Sequence, residues 1–171
     1  KVFAGLLVRR ALVVEPGVGI APMWIKKVLG TEEIVLISHD VLALTASIHN
    51  LEKMSSLKTI AMLDPVLPII SPSVSEKSPA QETLSSQKEG QVSAWQELSP
   101  ASIDVAIFFI EDIPKYNIVS TYWLLAEKVL KRAGVVIFSG TSTDCERIGR
   151  EKPLGFSKLQ IGRASCRERV S

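Results

Sequence analysis

Five short apolar runs recur along the chain, and helical patterns separate several of them. The runs are ALVVE (11–15), EIVLIS (33–38), TIAML (59–63), IDVAIFFI (103–110) and GVVIFSG (134–140). The first is apolar on both faces, as a central strand of a parallel sheet must be. Pro22 to Leu29 reads as a helix, with Pro22 in the first turn and Gly30 placed to stop it. Val41 to Met54 reads as a second helix, because Val41, Leu44, Ile48 and Leu51 form one apolar stripe. Asn117 to Ala133 reads as another, with Ile118, Tyr122, Leu125 and Val129 on one face. Alternation of this kind predicts an α/β fold with a doubly wound, mostly parallel sheet.

One stretch interrupts the rhythm. Residues 71–94 are rich in Ser, Pro, Gln, Lys and Glu and nearly empty of large apolar side chains. Such a segment buries too little to offset its ordering entropy, so it is expected to be a disordered insertion or long surface loop. The far end differs again. IGRASCRERV (161–170) is similar to the read-through translation of a common sequencing adapter. Residues 160–171 are therefore expected to be a non-native tail, with residues 1–159 forming the domain and its true C-terminus truncated. The chain opens on Lys1, not Met, so its N-terminus is expected to be cut as well.

Setting the tail aside changes the charge. Taking the three Arg and one Glu of 161–171 from the chain's 20 basic and 18 acidic residues leaves 17 of each. Nucleic acid is then not supported by charge, and neither is an acidic membrane surface. No apolar run reaches the roughly 18 residues needed to span a bilayer, so no membrane partner is expected. Without the tail Cys145 stands alone, which excludes an internal disulfide and suits a reducing, intracellular and cytoplasmic setting. His39 and His49 are the two histidines, and no Cys, Asp or Glu cluster accompanies them at ligand spacing, so no metal site is expected. Ser139 in FSGTS lacks the nucleophile-elbow pattern of a hydrolase. Trp24, Trp95 and Trp123 read as packing residues.

The stretch with the most chemistry in it is VVEPGVGIA (13–21), an apolar run, an acid and a Gly-x-Gly turn ahead of a helix. Glycines at a strand-to-helix turn let the backbone approach a ligand, and the helix start beside them offers unpaired N–H groups. A phosphate-cradling loop would end in Lys-Ser/Thr, which Ile20-Ala21-Pro22 does not supply. A dinucleotide fingerprint would place a third glycine where Pro22 stands.

Instead the stretch resembles the first motif of the class I S-adenosylmethionine-dependent methyltransferases, hydrophobic-(D/E)-x-G-x-G-x-G. Glu15 matches the acid, Gly17 and Gly19 the first two glycines, and Ala21 stands at the third. The resemblance continues in order through ALTASIHN (43–50), MLDPVLP (62–68), IDVAIFF (103–109) and LAEKVLKRAGVVIFSG (125–140), with KPLGFSKL (152–159) similar to the loop and strand start that follow. It implies a Rossmann-like core that binds S-adenosylmethionine. By that resemblance Gly17 and Gly19 pass under the cofactor's amino-acid moiety, Glu15 fixes its amino group, and Asp64 faces the adenine amino group. The family's ribose-binding acid falls on Ser38, two residues before Asp40, which is assigned the ribose or else the N-cap of the second helix. No Pro-Pro motif follows the fourth run. Glu111, Asp112 and Tyr116 are the candidates there for holding the acceptor or taking its proton.

The expected function is methyl transfer to an acceptor left open among RNA, protein and small molecules. Two readings stand beside it: a catalytically inactive methyltransferase-like scaffold, and an NAD(P)-dependent oxidoreductase on a similar fold. The oligomeric state is left open.

Overall fold

The structure, a computed structural model, describes residues 7–54, 56–64, 97–111 and 117–156. The Ser-rich stretch and the adapter-like tail lie outside them. Five strands form one sheet: β1 (Arg10–Val14), β2 (Glu33–Ser38), β3 (Lys58–Leu63), β4 (Ile103–Phe109) and β5 (Leu130–Ser139), in the order β3-β2-β1-β4-β5. Every pairing is parallel. Four helices accompany them among the described residues: α1 (Ile20–Leu29), α2 (Val41–Glu52), α3 (Ile118–Val129) and α4 (Ser142–Arg150).

Both faces of the sheet are buried, which is why the strands read as continuous apolar runs. Side chains alternate across the pleat. Leu12, Val14, Val35, Ile37, Ala106 and Phe108 face α3 and the buried Ile148 of α4. Ala11, Val13, Ile34, Leu36, Val105 and Ile107 face Ile25 of α1 and Leu44 and Leu51 of α2. The register keeps these sets together, with Leu12 opposite Val35 on one side and Ala106 on the other. Phe108 stacks on Tyr122 and Phe138, with ring centroids 4.8 and 5.4 Å away. Trp123 is buried against Phe138 and Phe156, whereas Trp24 is half-exposed on α1.

Two differences from the sequence expectation go beyond a residue or two at an element's end. The helix expected over 117–133 stops at Val129, and β5 begins at Leu130, not Gly134. Leu130 pairs with Ile103, and the next regular pair is Val105 with Val135, so the chain bulges between them. Asp104 sits opposite the bulge. Its Oδ2 accepts the backbone N–H groups of Arg9 and Arg10 at 3.0 and 2.9 Å, and its Oδ1 takes the Lys131 ammonium at 2.6 Å. Strand pairing plus this ion pair outweighs the modest helix preference of Lys131–Ala133. The second difference is α4, which the sequence reading left without an element. Its start is a capping box: Thr141 Oγ1 accepts the Asp144 N–H, and the Asp144 carboxylate accepts the Thr141 N–H.

Candidate functional site

All five strands end at one edge of the sheet. In such sheets a crevice opens where the connections diverge, here between β1 and β4, because α1 leads from β1 to β2 on the other side. Four neighbouring strands each deliver a carboxylate to that edge within two residues of their ends: Glu15 after β1, Asp40 after β2, Asp64 after β3 and Glu111 after β4.

The glycine turn lies at the end of β1. Gly17 and Gly19 have φ of 56° and 89°, in the left-handed region that glycine tolerates. Their missing Cβ atoms serve different ends. A Cβ on Gly19 would lie 2.9 Å from Ser47 Cα, so Gly19 lets α2 pack against the turn. A Cβ on Gly17 would meet nothing within 4 Å, so the open approach to the backbone is at Gly17. Helix α2 grips the turn from below: Ser47 Oγ donates to the Gly17 carbonyl at 2.9 Å, and Asn50 Nδ2 to the Val18 carbonyl at 2.8 Å. These carbonyls would otherwise lack partners within the turn. Ser47, where the resemblance has an alanine, thus has a structural task that the sequence did not announce.

Glu15 itself adopts φ 56°, rare for a side chain with a Cβ, at a cost on the order of 1 kcal/mol. Tertiary bonds hold it there. Its N–H donates to the Ile37 carbonyl at 2.8 Å. Its side chain is buried; Oε2 accepts Ser38 Oγ–H at 2.7 Å, and Oε1 accepts the His39 N–H at 3.1 Å. Oε1 also lies 2.9 Å from His39 Nδ1. Ser38 Oγ in turn accepts the Asp40 N–H at 3.1 Å. The serine at the ribose-acid position therefore orients Glu15 and shapes the turn into α2.

His39 is the residue that spacing alone did not reveal. Nδ1 faces Glu15, and Nε2 lies 3.8 Å from a Glu111 carboxylate oxygen. The hydrogen bond to Glu15 raises its pKa above the ordinary value of 6.5; burial works against this, and the negative charges of Glu15, Glu111 and Asp40 add to it. Beneath lies the buried Tyr122, whose phenol is held protonated chiefly by burial and then by Glu15 and Glu111. Ligand-type atoms of Glu15, His39 and Glu111 lie within 4.8 Å of one another. No sequence spacing announces this group, because the fold joins residues that are far apart in the chain. Both Glu15 oxygens accept hydrogen bonds, from Ser38 and from His39.

The remaining candidates divide. Asp40 caps α2, its Oδ1 accepting from Leu42 and Ala43 N–H at 2.8 and 3.3 Å, and it stays exposed at the edge. Asp64 is buried beside β2, its N–H donating to the Ser38 carbonyl at 3.0 Å. Glu111 is exposed at the crevice. Asp112 and Tyr116 lie outside the described residues. Cys145 is a free, partly buried thiol on α4, away from this group in the chain.

Known structures supply the comparison. The ribosomal protein L11 methylase of Lactobacillus delbrueckii subsp. bulgaricus is similar over 95% of this chain and 70% of its own, at 15% identity and a TM-score of 0.58. The fold is that of the class I methyltransferases. A putative sarcosine dimethylglycine methyltransferase from Galdieria sulphuraria shares this methyltransferase fold over 80% of the chain and 40% of its own length, at 12% identity and a TM-score of 0.50. The precorrin 8W decarboxylase of Methanobacterium thermoautotrophicum matches over 88% and 65%, at 12% identity and a TM-score of 0.53. The chain spans less than half of other solved structures that it matches, 44% and 48% of two of them. No protein-family model and no curated protein matches the sequence. No helix among the described residues is long and apolar enough to cross a membrane.

Proposed function

We propose that the chain binds S-adenosylmethionine at the carboxyl edge of its sheet and transfers the methyl group to an acceptor nucleophile. The observation that carries this reading is the row of four carboxylates, Glu15, Asp40, Asp64 and Glu111, at the ends of β1 to β4. A ligand carrying a sulfonium and an ammonium is attracted to such an edge. A dinucleotide pyrophosphate is repelled, by roughly 3 kcal/mol for each unit-charge pair at about 5 Å and an effective dielectric near 20. The same row argues against the oxidoreductase reading.

The residues fit the cofactor. The backbone at Gly17 has open space above it where a Cβ would lie. Glu15 and Asp64 are buried acids at the ends of β1 and β3, suited to an ammonium and to an adenine amino group, and Asp40, exposed at the end of β2 between them, is suited to ribose hydroxyls. When bound, the cofactor supplies an activated methyl carbon. The chain's own contribution is to hold the partners in line, which accounts for much of the rate in such a transfer. Glu111, exposed at the end of β4, is placed to accept a proton from a bound hydroxyl or amine.

Calorimetry with S-adenosylhomocysteine and NADH tests the reading. Micromolar binding of the former, lost in Gly17→Val, and no binding of NADH is the expected result. Binding of NADH with none of S-adenosylhomocysteine would move the chain to the oxidoreductases. Methyl transfer to a panel of RNA, protein and small-molecule acceptors then separates an enzyme from an inactive binding protein.

A further inference from the structure

The His39 ring lies across the crevice. It leaves the end of β2, meets Glu15 at the end of β1 and reaches toward Glu111 at the end of β4, on the far side of β1. It is a titratable side chain held between the two carboxylates that the methyltransferase reading assigns to the ligand's ammonium and to the acceptor. We propose that the His39 imidazolium is the resident cation of this crevice, and that a cationic ligand binds by displacing it from Glu15. The inference rests on the methyltransferase reading for the identity of that ligand.

The groups facing His39 among the described residues are Glu15 from β1, Asp40 from the turn into α2 and Glu111 from β4, with the buried phenol of Tyr122 on α3 near both glutamates. Three are acidic, so each favours the charged ring. An ammonium approaching Glu15 meets that charge at the distance of a hydrogen bond. Beside a Glu15 whose charge is already met by the protonated ring, a second cation gains little. Loss of a ring proton to solvent removes the positive charge beside Glu15, and with it the repulsion that an incoming ammonium meets. Ligand binding and His39 protonation therefore oppose each other. The raised pKa of His39 extends this competition to pH above the ordinary histidine value of 6.5.

The test is a calorimetric titration of the full chain with S-adenosylhomocysteine from about pH 5.5 to 8.5, comparing the protein with His39→Gln. The expected affinity of the unaltered protein falls up to about tenfold per pH unit below the His39 pKa, with close to one proton released on binding. The variant binds more tightly at the acid end, and its affinity is flat with pH. Superimposable pH profiles for the two proteins would overturn the inference and leave the cofactor reading standing. Failure of both to bind at every pH would overturn both. A readout without ligand is the NMR titration of the His39 ring, whose pKa is expected to fall in Glu111→Gln. An unchanged titration would place the ring outside the field of Glu111 and sink the proposal.

Discussion

Gly17 and Gly19 share a motif and a backbone conformation, yet their substitution is expected to have unequal consequences. Gly17→Ala meets no atom within 4 Å, so its cost is the left-handed backbone alone, on the order of 1 kcal/mol. Gly19→Ala adds a Cβ 2.9 Å from the Ser47 backbone, which forces the turn off α2 and raises the expected cost to about 3 kcal/mol. Urea unfolding of the two variants checks the order; equal midpoints would mean that the turn can shift freely. The motif marks both glycines in the sequence. Which of them lies open and which faces a helix depends on Ser47, about thirty positions away, and on no local signal.

At the scale of the elements, the junction of β1, β4 and β5 turns on one aspartate. Asp104 ties the start of β1 through two backbone N–H groups and the β5 bulge through Lys131. Burial pushes its carboxyl pKa up, but the Lys131 ammonium and the two N–H groups outweigh that and hold it below the ordinary 3.8. A depressed carboxylate pKa contributes stability that is complete above the unfolded value and lost as pH falls through the folded one. The chain is therefore expected to lose stability below about pH 3.8, and Asp104→Asn to remove that part of the acid dependence. At neutral pH the same variant is expected to cost about 2 kcal/mol. Thermal midpoints measured against pH for both proteins decide it. A parallel loss in the variant would assign the acid sensitivity to other carboxylates. The sequence showed a helix running to Ala133 because the apolar stripe and Lys-Arg-Ala all suit one. The strand that replaces its last turn needs Ile103 and Asp104 as partners, and both belong to an element before the helix.

For the whole molecule, the two buried faces of the sheet make Phe108 a central position. It is fully buried on β4, and it stacks on Tyr122 of α3 and Phe138 of β5. Phe108→Ala is expected to cost about 4 kcal/mol, a large share of the 5–15 kcal/mol by which a domain is ordinarily stable. A urea midpoint lowered by less than a quarter of that amount would show that the helices collapse onto the gap.

The sequence by itself determined the α/β alternation, the parallel sheet with both faces covered and the glycine turn after β1. All of these follow from local pattern: apolar runs of strand length, helical spacing, a residue type at a turn. Only the tertiary structure decided that Ser38 and His39 close on Glu15, that His39 reaches Glu111, and that Ser47 and Asn50 hold the glycine turn. His39 and Glu111 stand 72 positions apart in the chain. What joins them is the placing of β1 between β2 and β4, a strand order selected by burying two apolar faces at once. No side chain of the site specifies that order alone.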